Sequence, residues 1–270
     1  MRVHAIQTGR LVGNETVMRG EGWSSVLRRR RPYEFPVLSF ILEHPEGPIA
    51  IDTGLTTRVR VPRGQTLIGA PTPRIEPGDE IRPQMQAQGL APEDVRRVVL
   101  THLDWDHTGG LAAFPNAEVL IHRPEREFAS KLLGKLRYQP KLWPPSFDPT
   151  VYDLDSEPYG PFPASKPVTA SGDVRLVPIP GHSIGQVGVI VETDGVALFF
   201  AADHVLRQDW FVEDYAAGNL FGLGALFFPK RAVETSRRVH AFLDATPTVF
   251  LPSHDAESPA RLAARELVTV

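Results

Sequence analysis

The sequence predicts an α/β or α+β fold containing two β-sheets. Three observations carry this. Short β-prone runs recur from Val37 to Leu251. Glu46-Gly47 and Asp194-Gly195 each join two such runs as a hairpin, and the intervening helices follow no strict strand–helix–strand rhythm. In order, residues 37–43 and 48–52 read as hairpin strands, the second ending at the turn Asp52-Thr53-Gly54. A Pro/Arg/Gly-rich loop covers residues 60–80, and residues 83–88 form a short helix with proline in its first turn and Gly89 beyond its end. Residues 97–100 make a buried strand, 118–122 another, and 124–133 a helix. Residues 138–170 are proline-rich and read as a long irregular segment, of the kind that covers functional sites in compact domains. Strands resume at 174–177, 187–192 and 196–201. A helix at 229–243 has Ala232, Val233, Val239, Phe242 and Leu243 at helical spacing, and a strand at 248–251 and a helix at 259–267 close the chain. No linker or internal repeat divides it, so residues 1–270 are expected to form a single domain with the proline-rich insertion.

Composition narrows the function. The 270 residues carry 29 Lys+Arg against 32 Asp+Glu, a net charge of −3, which argues against a nucleic-acid binder that neutralises many phosphates. The run Arg28 to Arg31 reads as a solvated loop. No apolar stretch approaches a membrane span, and Met1-Arg2-Val3-His4 lacks a signal-peptide core, so a cytoplasmic location without membrane partners is the default expectation. Cysteine is absent, which removes disulfides, thiolate metal sites and a cysteine nucleophile. Any metal must be held by histidine and carboxylate.

Such residues concentrate in turns. His102, His107, His182 and His254 each follow a predicted strand, and His102-Leu103-Asp104-Trp105-Asp106-His107 packs four potential ligands into six residues. Imidazole and carboxylate together suit zinc, iron or manganese.

With Phe40 to Gly54, Val98 to Gly110, Gly181-His182-Ser183-Ile184-Gly185, Ala202-Asp203 and Ser253-His254-Asp255 in this order, the chain resembles the metallo-β-lactamase superfamily and, within it, the N-acyl-homoserine lactonase-like metallo-hydrolases. The resemblance implies an αββα sandwich with a dinuclear metal site at the sheet edge. It implies that His102, Asp104 and His182 hold a first divalent ion, that Asp106, His107 and His254 hold a second, and that Asp203 bridges them. Zinc is the leading metal. The expected reaction opens a lactone, or cleaves a related carboxylic ester of a small-molecule substrate, by attack of a metal-bridging hydroxide. Asp106 would relay a proton to the leaving group. Trp105 matches a position that lines the substrate pocket, a role weighed equally against packing of the turn.

Two departures qualify the resemblance. Asp104 stands where the family motif carries a second histidine, which biases the site towards iron or manganese or leaves the first ion loosely held. Leu206 stands where lactonases carry a carbonyl-polarising tyrosine, so either another donor such as Tyr215 or His204 takes over or the substrate is not an acyl-homoserine lactone. Gln186 replaces a histidine that is not a ligand in relatives. Asp52 is expected to orient a histidine or cap its turn, and His204 is weighed as support for the ligands. His4, His44, His122 and His240 read as surface or satisfied core residues, and Phe221, Phe227 and Phe228 as core more than acyl-chain wall. Phosphotriester or thioester hydrolysis on the same centre is the alternative. A diiron redox protein and a non-catalytic metal-binding relative rank lower, and a homodimer is left open.

Overall fold

Residues 1–15, 19, 32–61, 71–216 and 228–270 are described by a computed structural model, the side chains of Tyr215 and Ala216 excepted. They form two compact units, Met1–Gly13 with Pro32–Tyr152, and Asn14–Arg31 with Asp153–Val270.

The first unit is built on a seven-stranded sheet of β1 (Arg2–Asn14), β2 (Pro32–Glu43), β3 (Ile49–Ile51), β4 (Thr72–Arg74), β5 (Arg97–Leu100), β6 (Glu118–His122) and β7 (Thr150–Tyr152), in the order β4-β1-β2-β3-β5-β6-β7. β2 and β3 form the expected antiparallel hairpin, with Phe40 opposite Ile51. From β3 onward the pairing is parallel, through β5 and β6 to β7. The C-terminal ends of these strands therefore share one sheet edge, which brings Asp52 beside Thr101. The two central strands are the most apolar, β3 throughout and β5 from Val98 to Leu100, as expected of parallel strands covered on both faces. Ile41, Ala50, Val98, Leu100 and Ile121 are all buried in one core. Among the described residues this unit carries α1 (Ile81–Ala87), α2 (Trp105–Thr108), α3 (Arg123–Ser130) and α4 (Leu132–Arg137).

The second unit carries β8 (Lys166–Pro167), β9 (Val174–Pro178), β10 (Val187–Thr193), β11 (Val196–Ala202) and β12 (Thr248–Pro252), in the order β12-β11-β10-β9-β8. The β10–β11 turn has positive φ at both Asp194 (52°) and Gly195 (78°), as a two-residue hairpin matched to strand twist requires. β11 and β12 run parallel, and the chain between them supplies α5 (Gln208–Ala216) and α6 (Pro229–Ala245); α7 (Ser258–Ala264) follows β12. Phe199 organises this core, meeting Phe162, Phe242 and Phe250 edge-on at centroid distances of 5.9, 5.6 and 5.6 Å. Gly188 makes room for it: a Cβ there would lie 2.5 Å from the Phe199 ring.

Several elements depart from the sequence reading: β4 lies inside the expected loop 60–80, α5 was not anticipated, and three others differ. β1 was not anticipated, because polar residues interrupt its apolar positions and Gly9, at φ +82°, breaks the alternation. The helix expected over 124–133 is instead α3 and α4. Ser130 Oγ bonds back to the Glu127 carbonyl, a local contact that competes with helix continuation, and Lys131 is extended at ψ 162°. The proline-rich segment 138–170 is partly regular: it contains a 3₁₀ turn at Pro140–Leu142, β7, β8 and an antiparallel bridge between Ser156 and Ser165, and it buries Phe162 completely.

Phe199→Ala should therefore cost about 3–5 kcal/mol of unfolding free energy, since three aromatic partners lose their common contact. Leu267→Ala, at a site 47% exposed, should change it by no more than about 0.5 kcal/mol. Equilibrium denaturation of both variants measures the difference.

Candidate metal centre

In the first unit the histidine–aspartate turn follows β5 directly, and one buried carboxylate organises it. Asp52 leaves β3 at φ +58°, a left-handed conformation that costs a non-glycine residue on the order of 1–3 kcal/mol. Its Oδ1 accepts the Thr101 backbone N–H at 2.8 Å; its Oδ2 accepts the Thr101 hydroxyl at 2.8 Å and His107 Nδ1 at 2.8 Å. An ionised carboxylate only accepts, so His107 carries its proton on Nδ1. Thr101 has given its hydroxyl hydrogen to Asp52 and can only accept from His102 Nδ1, 3.0 Å away. Both imidazoles are thus the Nδ1–H tautomer and offer their lone pair at Nε2.

The turn is held by backbone as well. Thr53 donates its N–H and its hydroxyl to the His107 carbonyl at 2.8 and 2.9 Å. Gly54 has φ +69°, and a Cβ there would lie 2.0 Å from Thr8 Oγ1, the acceptor of the Leu55 N–H. His102 and His107 are fully buried with ring centroids 4.1 Å apart, and Asp106, also buried, has Oδ2 3.8 Å from His107 Nε2. Trp105 is 8% exposed at the first position of α2.

Asp104 sits differently. Arg137, at the end of α4, grips both its oxygens, Nε to Oδ1 at 2.7 Å and Nη2 to Oδ2 at 2.5 Å. Oδ2 also lies 3.3 Å from His102 Nε2. Burial alone would lower the guanidinium's affinity for its proton, but the Asp104 charge more than offsets this and holds its pKa above the ordinary value. The guanidinium stands over the Tyr138 ring at 5.5 Å, the Tyr138 hydroxyl donates to Glu125 at 2.5 Å, and the same Glu125 oxygen accepts the Leu103 N–H at 3.1 Å. Burial, with the Glu125 charge beside it, raises the Tyr138 pKa, so the phenol keeps its proton.

In the second unit, Asp203 follows β11 immediately after Ala202, which has φ +47° at a register shift against β12. His254 Nε2 is 3.2 Å from each Asp203 oxygen, and His182 Nε2 is 3.5 Å from Oδ2. The three are buried. Asp255 anchors the His254 turn: it accepts the N–H groups of Gln208 and Glu257 at 2.9 and 3.0 Å and Arg261 Nη1 at 2.5 Å. His204 is enclosed against Phe211 with Nε2 3.2 Å from Ser236 Oγ, and burial pushes its pKa down to about 4, so it is neutral near pH 7.

The seven predicted ligands therefore fall into His102, Asp104, Asp106 and His107 in one unit, and His182, Asp203 and His254 in the other. Leu206 is buried. The Tyr215 side chain, Phe221, Phe227 and the run Arg28 to Arg31 lie outside the described residues. His4 bonds Glu43, His44 accepts the Glu46 N–H, and His122 stacks on Tyr152, as their surface or core reading expects. Arg137, Glu125 and Asp255 escaped the sequence reading. Only Asp255, within Ser253-His254-Asp255, had a motif to mark it.

The donor sets are imidazole nitrogen and carboxylate oxygen without thiolate, the chemistry of zinc, manganese and iron. The metallo-beta-lactamase superfamily model matches residues 32–254. A probable metallo-hydrolase of Mycobacterium tuberculosis, Rv2300c, is 31% identical over 158 residues, 56% of this chain and 51% of its own, so the match spans about half the length of that relative. An N-acyl homoserine lactonase of Bacillus thuringiensis is 25% identical over 240 residues, 87% of each chain. Among solved structures, an N-acyl homoserine lactone hydrolase with the product N-hexanoyl-L-homoserine at its catalytic metal centre superposes with a TM-score of 0.74 and 22% identity, over 96% of this chain and 94% of its own. Two sheets of this topology, histidine–aspartate turns at their strand ends and a family match across most of the sequence agree: the chain belongs to the metallo-β-lactamase superfamily and has its fold.

Proposed function

We propose that this chain is a metal-dependent hydrolase that opens lactones, N-acyl homoserine lactones first among them, and that both donor groups serve one dinuclear centre in a single 1–270 domain. The observation that carries the reading is the Asp52 network, which sets two buried histidines in the tautomer that presents Nε2 to a cation. Support also comes from the family match, which includes all seven positions, and from the Bacillus thuringiensis lactonase, similar over 87% of both chains.

In this reading His102, Asp104 and His182 would hold the first ion and Asp106, His107 and His254 the second, with Asp203 serving both. Asp104 stands on the first ion's side. Zinc is the leading metal, and Asp104 leaves iron or manganese as the alternatives. Asp106, Asp203 and one hydroxide would bring three negative charges to two divalent cations, the Asp104 charge being offset by Arg137. When bound, such ions supply Lewis acidity and a hydroxide nucleophile near neutral pH. The chain's own residues do the rest. Trp105 offers the substrate an apolar face. Asp106 would take, at a carboxylate oxygen, the proton of the hydroxyl added to the lactone carbonyl carbon and hand it to the ring oxygen as its bond to that carbon breaks, leaving a carboxylate and an alcohol. Asp52 keeps the His107 and His102 rings from rotating, and their burial excludes bulk water from the reacting carbonyl.

Protein loaded with Zn²⁺, Mn²⁺, Fe²⁺ or Co²⁺ should release protons on addition of γ-lactones, measured by pH-stat, and His254→Ala should lose metal content and turnover together. If no lactone, aryl ester or phosphotriester in a broad set is hydrolysed with any of these metals, the hydrolase reading is wrong. Asp52→Asn should lower metal affinity about 10–100-fold. In the metal-free protein, long-range ¹H–¹⁵N spectra should show His107 protonated at Nδ1, a pattern the variant loses; a proton on Nε2 in the unaltered protein would contradict the tautomer assignment.

A further inference from the structure

We propose that Arg137 is a built-in competitor for the Asp104 carboxylate, so that the ion on the His102 side is the more weakly held of the two. The inference rests on the proposed dinuclear centre and adds a positioning residue to it. Asp104 Oδ2 lies 3.3 Å from His102 Nε2, the nitrogen whose lone pair the Asp52 network exposes, so this carboxylate stands where an ion on His102 would meet it. Both its oxygens are nevertheless taken by the guanidinium, in the two-bond arrangement that makes the strongest arginine–carboxylate pairs.

The fork is held in place from behind. Arg137 lies over the Tyr138 ring, Tyr138 is bonded to Glu125, and Glu125 is bonded to the Leu103 N–H, one residue from each partner of the contact. A fixed positive charge on the carboxylate does two things to a nearby cation. It offsets the charge that would attract the ion, and it occupies one lone pair on each oxygen that would otherwise be open to it. His102 and His182 are then left to hold this ion with a share of Asp203, while the other ion keeps Asp106, His107 and His254.

The test is a titration of metal-free protein with Zn²⁺ against a chromophoric chelator, with metal content by mass spectrometry and folding by circular dichroism. Unaltered protein should bind one ion tightly and one weakly. Arg137→Met should tighten the weak ion about tenfold or more and leave the tight one unchanged, opposite in sign to the roughly 10–100-fold loss that follows removal of a partner supporting a ligand. Arg137→Gln, a milder change should the methionine variant not fold, should move it in the same direction. Adding Asp104→Asn to Arg137→Met should abolish the gain, because the gain requires a released carboxylate. An unchanged or weaker second affinity in both Arg137 variants, or a gain that survives Asp104→Asn, overturns the proposal. Failure of unaltered protein to bind any divalent ion would instead overturn the dinuclear reading on which it rests.

Discussion

The Asp52 carboxylate is the constraint on which the first unit's chemistry depends. It follows β3, reaches across to Thr101 at the end of β5, and fixes the proton positions of His102 and His107 through three contacts of 2.8 Å. A charge this deeply buried is tolerated because every contact donates to it. Its left-handed backbone, the Thr53 bonds to the His107 carbonyl and the crowding of Gly54 against Thr8 all serve the same placement. Parallel pairing of β3 with β5 makes the reach short, so the arrangement follows from strand order as well as from side-chain chemistry.

The second unit reaches a comparable result by different means. Its anchoring carboxylate is Asp255, which ties the His254 turn to the starts of α5 and α7 and to Arg261. Asp203 is delivered by a left-handed Ala202, where β11 shifts register against β12. Behind these turns the Phe199 cluster supplies a stiff apolar base. Strain at a turn is sustained only where the surrounding packing over-determines it, and the two left-handed residues stand at the ends of strands that are buried along all of β3 and from Ala197 onward in β11.

Much of this was legible in the sequence because the ligand-bearing turns are local. Strand, turn and ligand succeed one another within a few residues at Leu100–His107, at Ala202–His204 and at Pro252–Asp255, and in each an apolar run gives way to histidine and aspartate. Asp52 could be read as an orienting residue from its Asp-Thr-Gly turn alone. Arg137 could not. It meets Asp104 across 33 positions of chain, from a helix that the sequence reading merged with its neighbour, and a surface-like Leu-Arg-Tyr stretch carries no sign of a buried ion pair. β1 was missed for a related reason, since Gly9 hides the alternation that a strand needs to be seen.

The departure at Asp104 also changes meaning. As a residue type it reads as a hard ligand that favours iron or manganese; with Arg137 on both oxygens it reads first as a neutralised pair beside His102. The most direct test of the whole account is a crystal structure of metal-loaded protein with anomalous data collected at the metal edge. The account predicts two ions about 3.5–4 Å apart, one on His102 Nε2 and one on His107 Nε2, with Asp203 touching both. Ions confined to one donor group, or bound through Nδ1 of either histidine, would contradict it.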